Sequence, residues 1–372
     1  MRLLYVACRW DPTIQDEYSG SDYGAYHMLK KDPDFDVALV GPFEDKPNFF
    51  EKVVNKIYRT LSSKRLIKYF PSTVRESGEI VNKAIREYNP DVIFSKYSAP
   101  MVHTKIDRPF VYMCDSTIQW TKKYWREFSD LGFQVMEKWE EKSIKECNRI
   151  VTFSNENAEI IKRHYKKDPK QIRVIPIPAY IPPKLIPKKN SLNKKIGRTL
   201  NLLLVGKRFR LRGVDIAIKV VKELNKRGVP ARLQIVGMNG DDSEFVKFMG
   251  VYDKEKPLQL EAYYNFFGSA DLLIHPSRFH AAGIVISEAA AFGVPTITND
   301  TGGLATSVLN RETGIVLPEA STANDYCDEI EKLINATDFY QALSQAARAR
   351  FDNELNWEKA GERLREIVNE TL

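Results

Sequence analysis

Four cations stand between two glycines in residues 206–213, directly after an apolar run. Like charges this close repel one another, so the pattern favours an anion that holds them together. Lys207 and Arg212 are the candidates to bind it. A second anion-binding pattern begins at Gly283, which opens a run of good helix formers. The first amides of a helix have no intrahelical partner and carry partial positive charge, so both patterns predict a phosphate or diphosphate site.

Three further polar residues lie near the ends of apolar runs. His280 lies in the turn before the second pattern, and it either donates a hydrogen bond to the ligand or fills the turn. Glu288 lies among alanines inside the predicted helix, where it belongs either to the site or to a solvated face. Asp115 follows another apolar run and precedes a Ser-Thr pair. A carboxylate there either serves an active site at the end of a strand or caps the next helix.

The elements that must position these residues alternate between short apolar strands and helices, which is typical of a doubly wound α/β fold. The predicted strands are residues 3–7, 37–40, 92–95, 110–114, 149–153, 172–175, 200–205, 232–236, 271–274, 296–298 and 315–318. The predicted helices are residues 23–29, 79–87, 133–146, 156–164, 215–224, 261–267, 325–336, 338–351 and 357–368. Ligands of such folds bind outside the carboxyl ends of the strands, where the loop with Gly20 and Ser21 also lies. That loop is either a phosphate site or a plain tight turn.

Prolines interrupt this alternation in residues 176–187, and a run of lysines follows them. Neither a helix nor a central strand tolerates that proline density, so the segment marks a domain boundary. At 372 residues the chain is long enough for two domains. We therefore expect one α/β domain in residues 1–178, a linker in residues 179–198 and a second α/β domain in residues 199–356.

Residues 48–70 alternate apolar and basic side chains, and helical spacing gathers the apolar ones on one face. Two interpretations stay open. The segment is a pair of surface helices packed on its own domain, or it is a basic amphipathic surface for an anionic membrane or a lipid-linked acceptor.

The composition narrows the function classes. A net charge of +7 and a pI of about 9.0 favour an anionic partner. No apolar run reaches the roughly 20 residues that span a bilayer, and the N-terminus is typical of a buried strand, so we expect a cytoplasmic protein. The four cysteines lack metal-ligand spacing, which indicates a reducing compartment and no zinc site. No aromatic-basic module indicates a nucleic-acid partner, and the first loop lacks the G-x-G-x-x-G of a nicotinamide-dependent dehydrogenase.

Residues 275–303 resemble the signature of the family 4 retaining glycosyltransferases. In that signature, two glutamates bracket a glycine turn that opens an alanine-rich helix. Glu288 matches the second glutamate, and His280 stands at the position of the first. Lys207 and Arg212 match the two cations of the family's diphosphate loop, with the residue types exchanged.

The resemblance implies the GT-B architecture, an α/β fold of two Rossmann-like domains that face each other across a cleft. The first domain then binds the acceptor and the second the nucleotide sugar, with the C-terminal helix, residues 357–372, packed back onto the first. The implied nucleotide-binding residues are Gly20, Ser21, Lys207, Arg212, Val251, Gly283, Ile284 and Glu288. The residues implied in catalysis are Asp115, His280, Lys207 and Arg212.

The implied function is transfer of a hexose from a nucleoside-diphosphate sugar to a glycan or lipid-linked acceptor in polysaccharide biosynthesis. A uridine diphosphate sugar is favoured over a guanosine diphosphate sugar. We expect no cofactor beyond the donor and no metal, because cations and helix amides supply the positive charge. A peripheral contact with an anionic membrane, at its inner face, fits residues 48–70. Asp115 and His280 stand where the family usually has histidine and glutamate, so the alternative is a weakly active or inactive nucleotide- or glycan-binding protein on the same fold.

Overall fold

The computed structural model describes residues 1–15, 20–62, 64–189 and 194–372. Parts of three predicted segments therefore lie outside the described residues: the end of the first loop, one position of residues 48–70 and the middle of the linker. The chain forms two compact units. One consists of Met1–Ile175 with Ala360–Leu372, and the other of Pro176–Lys359.

A six-stranded parallel sheet in the order β2-β1-β3-β4-β5-β6 runs through the first unit. Its strands are β1 (Arg2–Val6), β2 (Asp36–Val40), β3 (Val92–Ser95), β4 (Phe110–Cys114), β5 (Arg149–Thr152) and β6 (Ile172–Val174). Its helices are α1 (Ser21–Lys31), α2 (Phe49–Ser62), α3 (Pro71–Tyr88), α4 (Ile118–Tyr124), α5 (Asp130–Glu146) and α6 (Asn155–Arg163). The central strands are apolar along almost their whole length because helices cover both faces of the sheet.

A second six-stranded parallel sheet, in the order β12-β11-β10-β7-β8-β9, forms the other unit. Its strands are β7 (Leu200–Val205), β8 (Ala231–Val236), β9 (Val246–Gly250), β10 (Leu272–His275), β11 (Thr296–Asn299) and β12 (Gly314–Leu317). Its helices are α7 (Val214–Lys226), α8 (Pro257–Ser269), α9 (Ile284–Ala291), α10 (Leu304–Ser307), α11 (Ala323–Asn335) and α12 (Thr337–Asn353). The last helix, α13 (Trp357–Asn369), begins in this unit and belongs to the first unit from Ala360 onward.

The strand order of each sheet reverses once, between β1 and β3 in the first unit and between β7 and β10 in the second. At such a point the loops leave neighbouring strands in opposite directions, which opens a crevice at the carboxyl ends where ligands bind. The loops after β7 and β10 are the ones in which we predicted the diphosphate site. The fold therefore puts both predicted anion-binding patterns at the switch point of one sheet.

The predicted strands agree closely with the observed ones, but the prediction missed β9, α4 and α10. The predicted helix pair in residues 48–70 is wrong, because a single helix ends at Ser62. After it the backbone of Arg65 bonds to Glu127 O at 3.0 Å and accepts from Ser129 N at 2.9 Å, which holds this stretch extended. Ile67 is buried in the core of the first unit rather than lying on a second surface helix.

The predicted linker packs on the second unit where the structure describes it. Ala179 N donates to Leu355 O at 2.8 Å, and Tyr264 Oη donates to Tyr180 O at 3.3 Å. The end of α13 is attached to the first unit, where Arg365 bonds to Asp32 at 2.6 Å. No helix among the described residues is both long and apolar enough to cross a bilayer.

Candidate functional site

The loops after β7 and β10 are in direct contact at the switch point of the second unit. Gly213 has a φ of 67°, and a Cβ on it would lie 1.8 Å from the carbonyl oxygen of Pro276. Only glycine fits this close approach of two backbones. Leu211 O accepts from Arg278 N at 2.9 Å and from Ser277 Oγ at 2.9 Å. The cation-rich loop is therefore fixed to the loop that leads into α9.

Arg212 is built into this junction, whereas Lys207 is exposed. The Arg212 guanidinium donates to the carbonyl oxygen of Phe279 in the β10 loop. Gly206 makes room for it, because a Cβ there would lie 2.6 Å from Arg212 Cγ. Burial, and then the charge of Arg208, lower the pKa of Arg212 to about 10, so the group stays charged at neutral pH. The loop therefore carries one cation that is held in place, Arg212, and one that is exposed, Lys207.

Helix α9 begins as the sequence predicts, with Gly283 as its N-cap at a φ of 78°. A Cβ on Gly283 would lie 2.7 Å from Leu304 Cδ2, so both its backbone conformation and its surroundings require glycine. Ile284 is the first residue of the helix, and the amides before Ile286, whose N–H donates to Gly283 O at 2.9 Å, have no acceptor within the helix. These donors lie at the end of the same loop that Arg212 holds, and they suit an anionic ligand.

His280 pairs with His275, the last residue of β10. His275 Nε2 lies 2.8 Å from His280 Nδ1, and His275 is completely buried while His280 is partly exposed. Burial and the charge of Arg212 lower the pKa of His275 to about 3. The same causes, with His275 added, lower the pKa of His280 well below its usual value. Both rings are therefore neutral at physiological pH.

Glu288 is buried, which excludes the interpretation as a solvated face. Its Oε1 accepts from Lys254 Nζ at 2.7 Å and lies 3.4 Å from Tyr264 Oη, whose one proton is shared with Tyr180 O. Its Oε2 accepts from Tyr263 Oη at 2.7 Å. Val251 follows β9 and is exposed. The predicted roles of Glu288 at the ribose and of Val251 at the base stay predictions.

A second polar cluster lies at the switch point of the first unit. Lys96, the residue after β3, is buried and donates to Ser21 Oγ at 2.8 Å. Its ammonium also lies 3.6 Å from Asp22 Oδ1 and 3.8 Å from Asp115 Oδ1. Burial raises the pKa of Asp22, and Lys96 opposes that shift. Gly20 is the N-cap of α1, with a φ of 75°, and α1 carries Ser21 and Asp22 of this cluster.

The structure excludes one of the two interpretations of Asp115, the helix cap. Thr117, not Asp115, caps α4, because its hydroxyl accepts from Trp120 N at 3.2 Å. Glu140 stabilises the same turn, because its Oε2 accepts from Ile118 N at 2.7 Å. The Asp115 carboxylate is left beside Lys96, with Oδ1 buried and without a hydrogen-bond donor among the described residues. Its predicted role at a ligand hydroxyl stays a prediction.

Helix α2 is attached to the first unit by its polar side. Glu51 accepts from Ser72 N at 3.0 Å, and Asn55 Oδ1 accepts from Leu66 N at 3.2 Å. Its apolar stripe points away from the first unit, with exposed fractions of 83% at Phe49, 74% at Phe50, 38% at Val53, 55% at Ile57 and 81% at Leu61. The helix therefore packs on its own domain, but not through the apolar face that the sequence pattern indicated. A cavity of about 450 Å³ beside it is lined by Lys52, Lys56 and Arg59 among others.

The predicted site residues thus fall into two local groups. Ser21 and Asp115 meet through Lys96 in the first unit. Lys207, Arg212, His280, Gly283 and Ile284 lie on the two joined loops of the second unit, with Glu288 further along α9 and Val251 at the edge of the sheet. Sequence reasoning missed Lys96, Lys254 and the partner role of His275. The only sequence signal for Lys96 was its position directly after a predicted strand.

Comparison with known proteins identifies the family of both halves. The family described as "Glycosyl transferases group 1" matches residues 188–350, and the family described as "Glycosyltransferase Family 4" matches residues 28–178. The structure of the Anabaena protein Alr3699/HepE in complex with UDP-glucose is similar over 100% of both chains, with a TM-score of 0.63 and 15% identity. That likeness shows the GT-B fold.

Two curated relatives are similar over part of the chain. D-inositol 3-phosphate glycosyltransferase of Rhodococcus jostii is 24% identical over 61% of this chain and 53% of its own length. A GDP-mannose-dependent phosphatidylinositol monomannoside mannosyltransferase of Corynebacterium glutamicum is 30% identical over 48% of this chain and 50% of its own length. The chain spans about half the length of the curated relatives it matches.

Proposed function

We propose that this chain, which belongs to the family 4 glycosyltransferases of the GT-B fold, transfers a hexose from a nucleoside-diphosphate sugar with retention at the anomeric carbon. The observation that carries the proposal is the junction of the two loops at the β7/β10 switch point. There Arg212 is fixed against the β10 loop, Lys207 is exposed beside it, and Gly283 opens α9. A diphosphate has the charge and the size to meet both loops.

The same residues supply the chemistry of the leaving group. As the bond between the anomeric carbon and the diphosphate breaks, negative charge grows on the phosphate oxygens. Lys207, Arg212 and the first amides of α9 stabilise that charge, and they need little reorganisation because the loops are already joined. The ammonium and guanidinium groups and the helix amides take the place that a metal ion has in other transferases, so we propose no metal and no further cofactor.

The rest of the donor extends along the second unit. We propose that the Glu288 carboxylate accepts from the ribose hydroxyls and that Val251 contacts the base. Glu288 already accepts hydrogen bonds from Lys254 and Tyr263. The ribose hydroxyls would therefore bind a carboxylate that protein donors already hold in place. A uridine diphosphate sugar is favoured, since the Anabaena structure holds UDP-glucose. The Corynebacterium relative is named for GDP-mannose, which keeps a guanosine diphosphate sugar as the second candidate.

Asp115 is proposed to accept a hydrogen bond from a sugar hydroxyl. Its Oδ1 is buried without a donor among the described residues, and Lys96 fixes the carboxylate from 3.8 Å away. A carboxylate so placed binds a hydroxyl better than water, because desolvation strengthens the bond. Ser21, held by the same ammonium, lies in the same cluster.

The acceptor is proposed to be lipid-linked and reached at an anionic membrane surface. Helix α2 turns five large apolar residues outward, and Lys52, Lys56 and Arg59 line the cavity beside them. An outward apolar stripe bordered by cations matches the interface of a membrane with anionic headgroups. We place this surface at the cytoplasmic face, which agrees with four buried cysteines that form no disulfide.

A thermal-shift panel tests the donor proposal. Binding to the folded state raises the melting temperature by mass action, so the correct nucleotide is recognised without knowing the acceptor. UDP, UDP-glucose, GDP and GDP-mannose are compared at equal concentrations, with AMP as the control that lacks a diphosphate. We expect stabilisation by one nucleoside diphosphate and its sugar and none by AMP. Equal shifts with every nucleotide, or none, would contradict the proposal.

The second candidate is a protein of the same fold that binds a nucleotide or glycan without turnover. Two observations favour considering it: a neutral His280 and an Asp115 stand at the sugar-side positions. Release of nucleoside diphosphate from a bound sugar nucleotide separates the two candidates. Stabilisation by UDP-glucose or GDP-mannose without any release, in the presence of membrane lipids, would support the binding protein.

A further inference from the structure

The ring nitrogens of His275 and His280 share one hydrogen bond. His275 Nε2 and His280 Nδ1 are 2.8 Å apart, with ring centroids 5.0 Å apart. His275 is held in place because its carbonyl oxygen accepts from Thr298 Oγ1 at 2.8 Å and from Ser277 N at 2.8 Å. The pair is therefore a fixed part of the β10 end, not a chance contact between mobile side chains.

Two neutral imidazoles can share this bond in only two ways. Each neutral ring carries one proton, which sits on one of its two nitrogens. In the first arrangement His275 donates from Nε2 to His280 Nδ1, so the His280 proton must be on Nε2. In the second, His280 donates from Nδ1, and the His275 proton must then be on its own Nδ1. Arg212 lies near both rings and disfavours a third, charged arrangement.

The surroundings of His275 select the first arrangement. Its Nδ1 is buried and has no hydrogen-bond partner among the described residues. The second arrangement would put an N–H group at that position, and orphaned buried N–H donors are rarer in proteins than under-satisfied acceptors. The first arrangement also gives both rings the Nε2–H tautomer, which a free histidine side chain prefers in water.

We propose that His275 is a positioning residue that locks His280 as the Nε2–H tautomer, so that His280 can donate a hydrogen bond to its ligand but cannot accept one. The exposed side of His280 then presents an N–H where a carboxylate would present acceptors. The ligand group that it takes is an acceptor oxygen. That this oxygen belongs to the donor sugar rests on the proposed function, whereas the tautomer itself does not.

Ring nitrogen spectroscopy tests the tautomer directly. The full chain, uniformly labelled with ¹⁵N, has five histidines, so long-range ¹H–¹⁵N spectra can be assigned with His275→Gln, His280→Gln and His103→Gln. We expect His280 to show a protonated Nε2 and a bare Nδ1, unchanged between pH 6 and 8. A proton on Nδ1, or a ring that becomes an imidazolium in this range, would overturn the proposal. No enzymatic activity is needed, so this result is separate from the fate of the proposed function.

A matched pair of variants tests the role of His275. His275→Gln keeps an N–H donor that can reach His280, whereas His275→Met fills similar space without one. We expect the Gln variant to retain the Nε2–H tautomer and the Met variant to show both tautomers, with a several-fold lower kcat and an unchanged affinity for nucleoside diphosphate. A single Nε2–H tautomer in the Met variant would overturn the positioning role. If the Met variant fails to fold, loss of the Nε2–H tautomer in the Gln variant would overturn it instead.

Discussion

Lys254 Nζ lies 2.7 Å from Oε1 of Glu288, and this ion pair ties the segment after β9 to a carboxylate that is almost fully buried in α9. A buried carboxylate needs a cation and donors to offset the loss of water. Tyr263 provides a donor at 2.7 Å, and the Tyr264 hydroxyl lies 3.4 Å away. The residue that the family resemblance assigns to ribose binding is thus also a structural anchor of the second unit.

Replacing Lys254 by Met should therefore destabilise the protein. Removing one partner leaves the Glu288 charge buried and unpaired, and we expect the free energy of unfolding to fall by about 2–3 kcal/mol in urea titrations. In a Glu288→Gln background the same change should cost much less, because no charge is left to compensate. Lys256→Met is the matched control, since Lys256 pairs with Asp253 on the surface and should give no measurable change. Equal costs in both backgrounds would contradict the ion pair.

Glu140 should make stability fall as the pH rises. Burial raises its pKa from 4.5 to about 7. Between these values the folded state binds more protons than the unfolded state, so its contribution is complete below pH 4.5 and is lost as the pH rises through about 7. The size is about 3 kcal/mol.

The measurement compares wild type with Glu140→Gln by urea unfolding at pH 5, 6, 7 and 8. Their difference in unfolding free energy should shift in favour of the variant from pH 5 to 7 and level off between pH 7 and 8. Glu141→Gln is the control, because Glu141 is partly exposed beside Lys145 and its pKa is lowered, not raised. A difference that stays constant across this range would show that Glu140 does not titrate there.

The fold could be predicted from the sequence more fully than the site. Strands such as Phe110–Cys114 and Leu200–Val205 are buried on both faces, so their apolar runs and boundaries are visible directly. Gly213 and Gly283 were visible because their backbone conformations demand glycine. The roles of Lys96 and Lys254 could not be recognised in the sequence, because they depend on carboxylates that only the folded chain brings near them. Helix α2 shows the same limit: periodicity indicated an amphipathic helix but not that its polar side faces the protein.

Helix α2 should bind vesicles that contain anionic lipids. The double variant Phe50→Ser/Leu61→Ser removes two outward apolar side chains. Full burial of one such side chain contributes about 1.5–3 kcal/mol, so the affinity for vesicles should fall at least tenfold. Flotation with phosphatidylglycerol vesicles measures it, and binding should weaken with added salt and with Lys52→Gln and Lys56→Gln. Leu258→Ser is the control, because Leu258 on α8 is as exposed as Phe49, at 83%, but lies in the other unit. Loss of binding in that control, or retention in the α2 variant, would rule out α2 as the membrane surface.

The central claim is that Lys207 and Arg212 bind the diphosphate that leaves during transfer. The most direct measurement is release of nucleoside diphosphate from UDP-glucose and GDP-mannose by wild type, by the Lys207→Ala/Arg212→Ala variant and by Lys222→Ala. The last removes an exposed cation from α7, away from the loop, and all three are first matched for melting temperature. We predict release by wild type and Lys222→Ala from one donor, and a loss of about 100-fold or more in the double variant, since two charge-assisted bonds are removed. Release at the wild-type rate by a folded double variant would contradict the account.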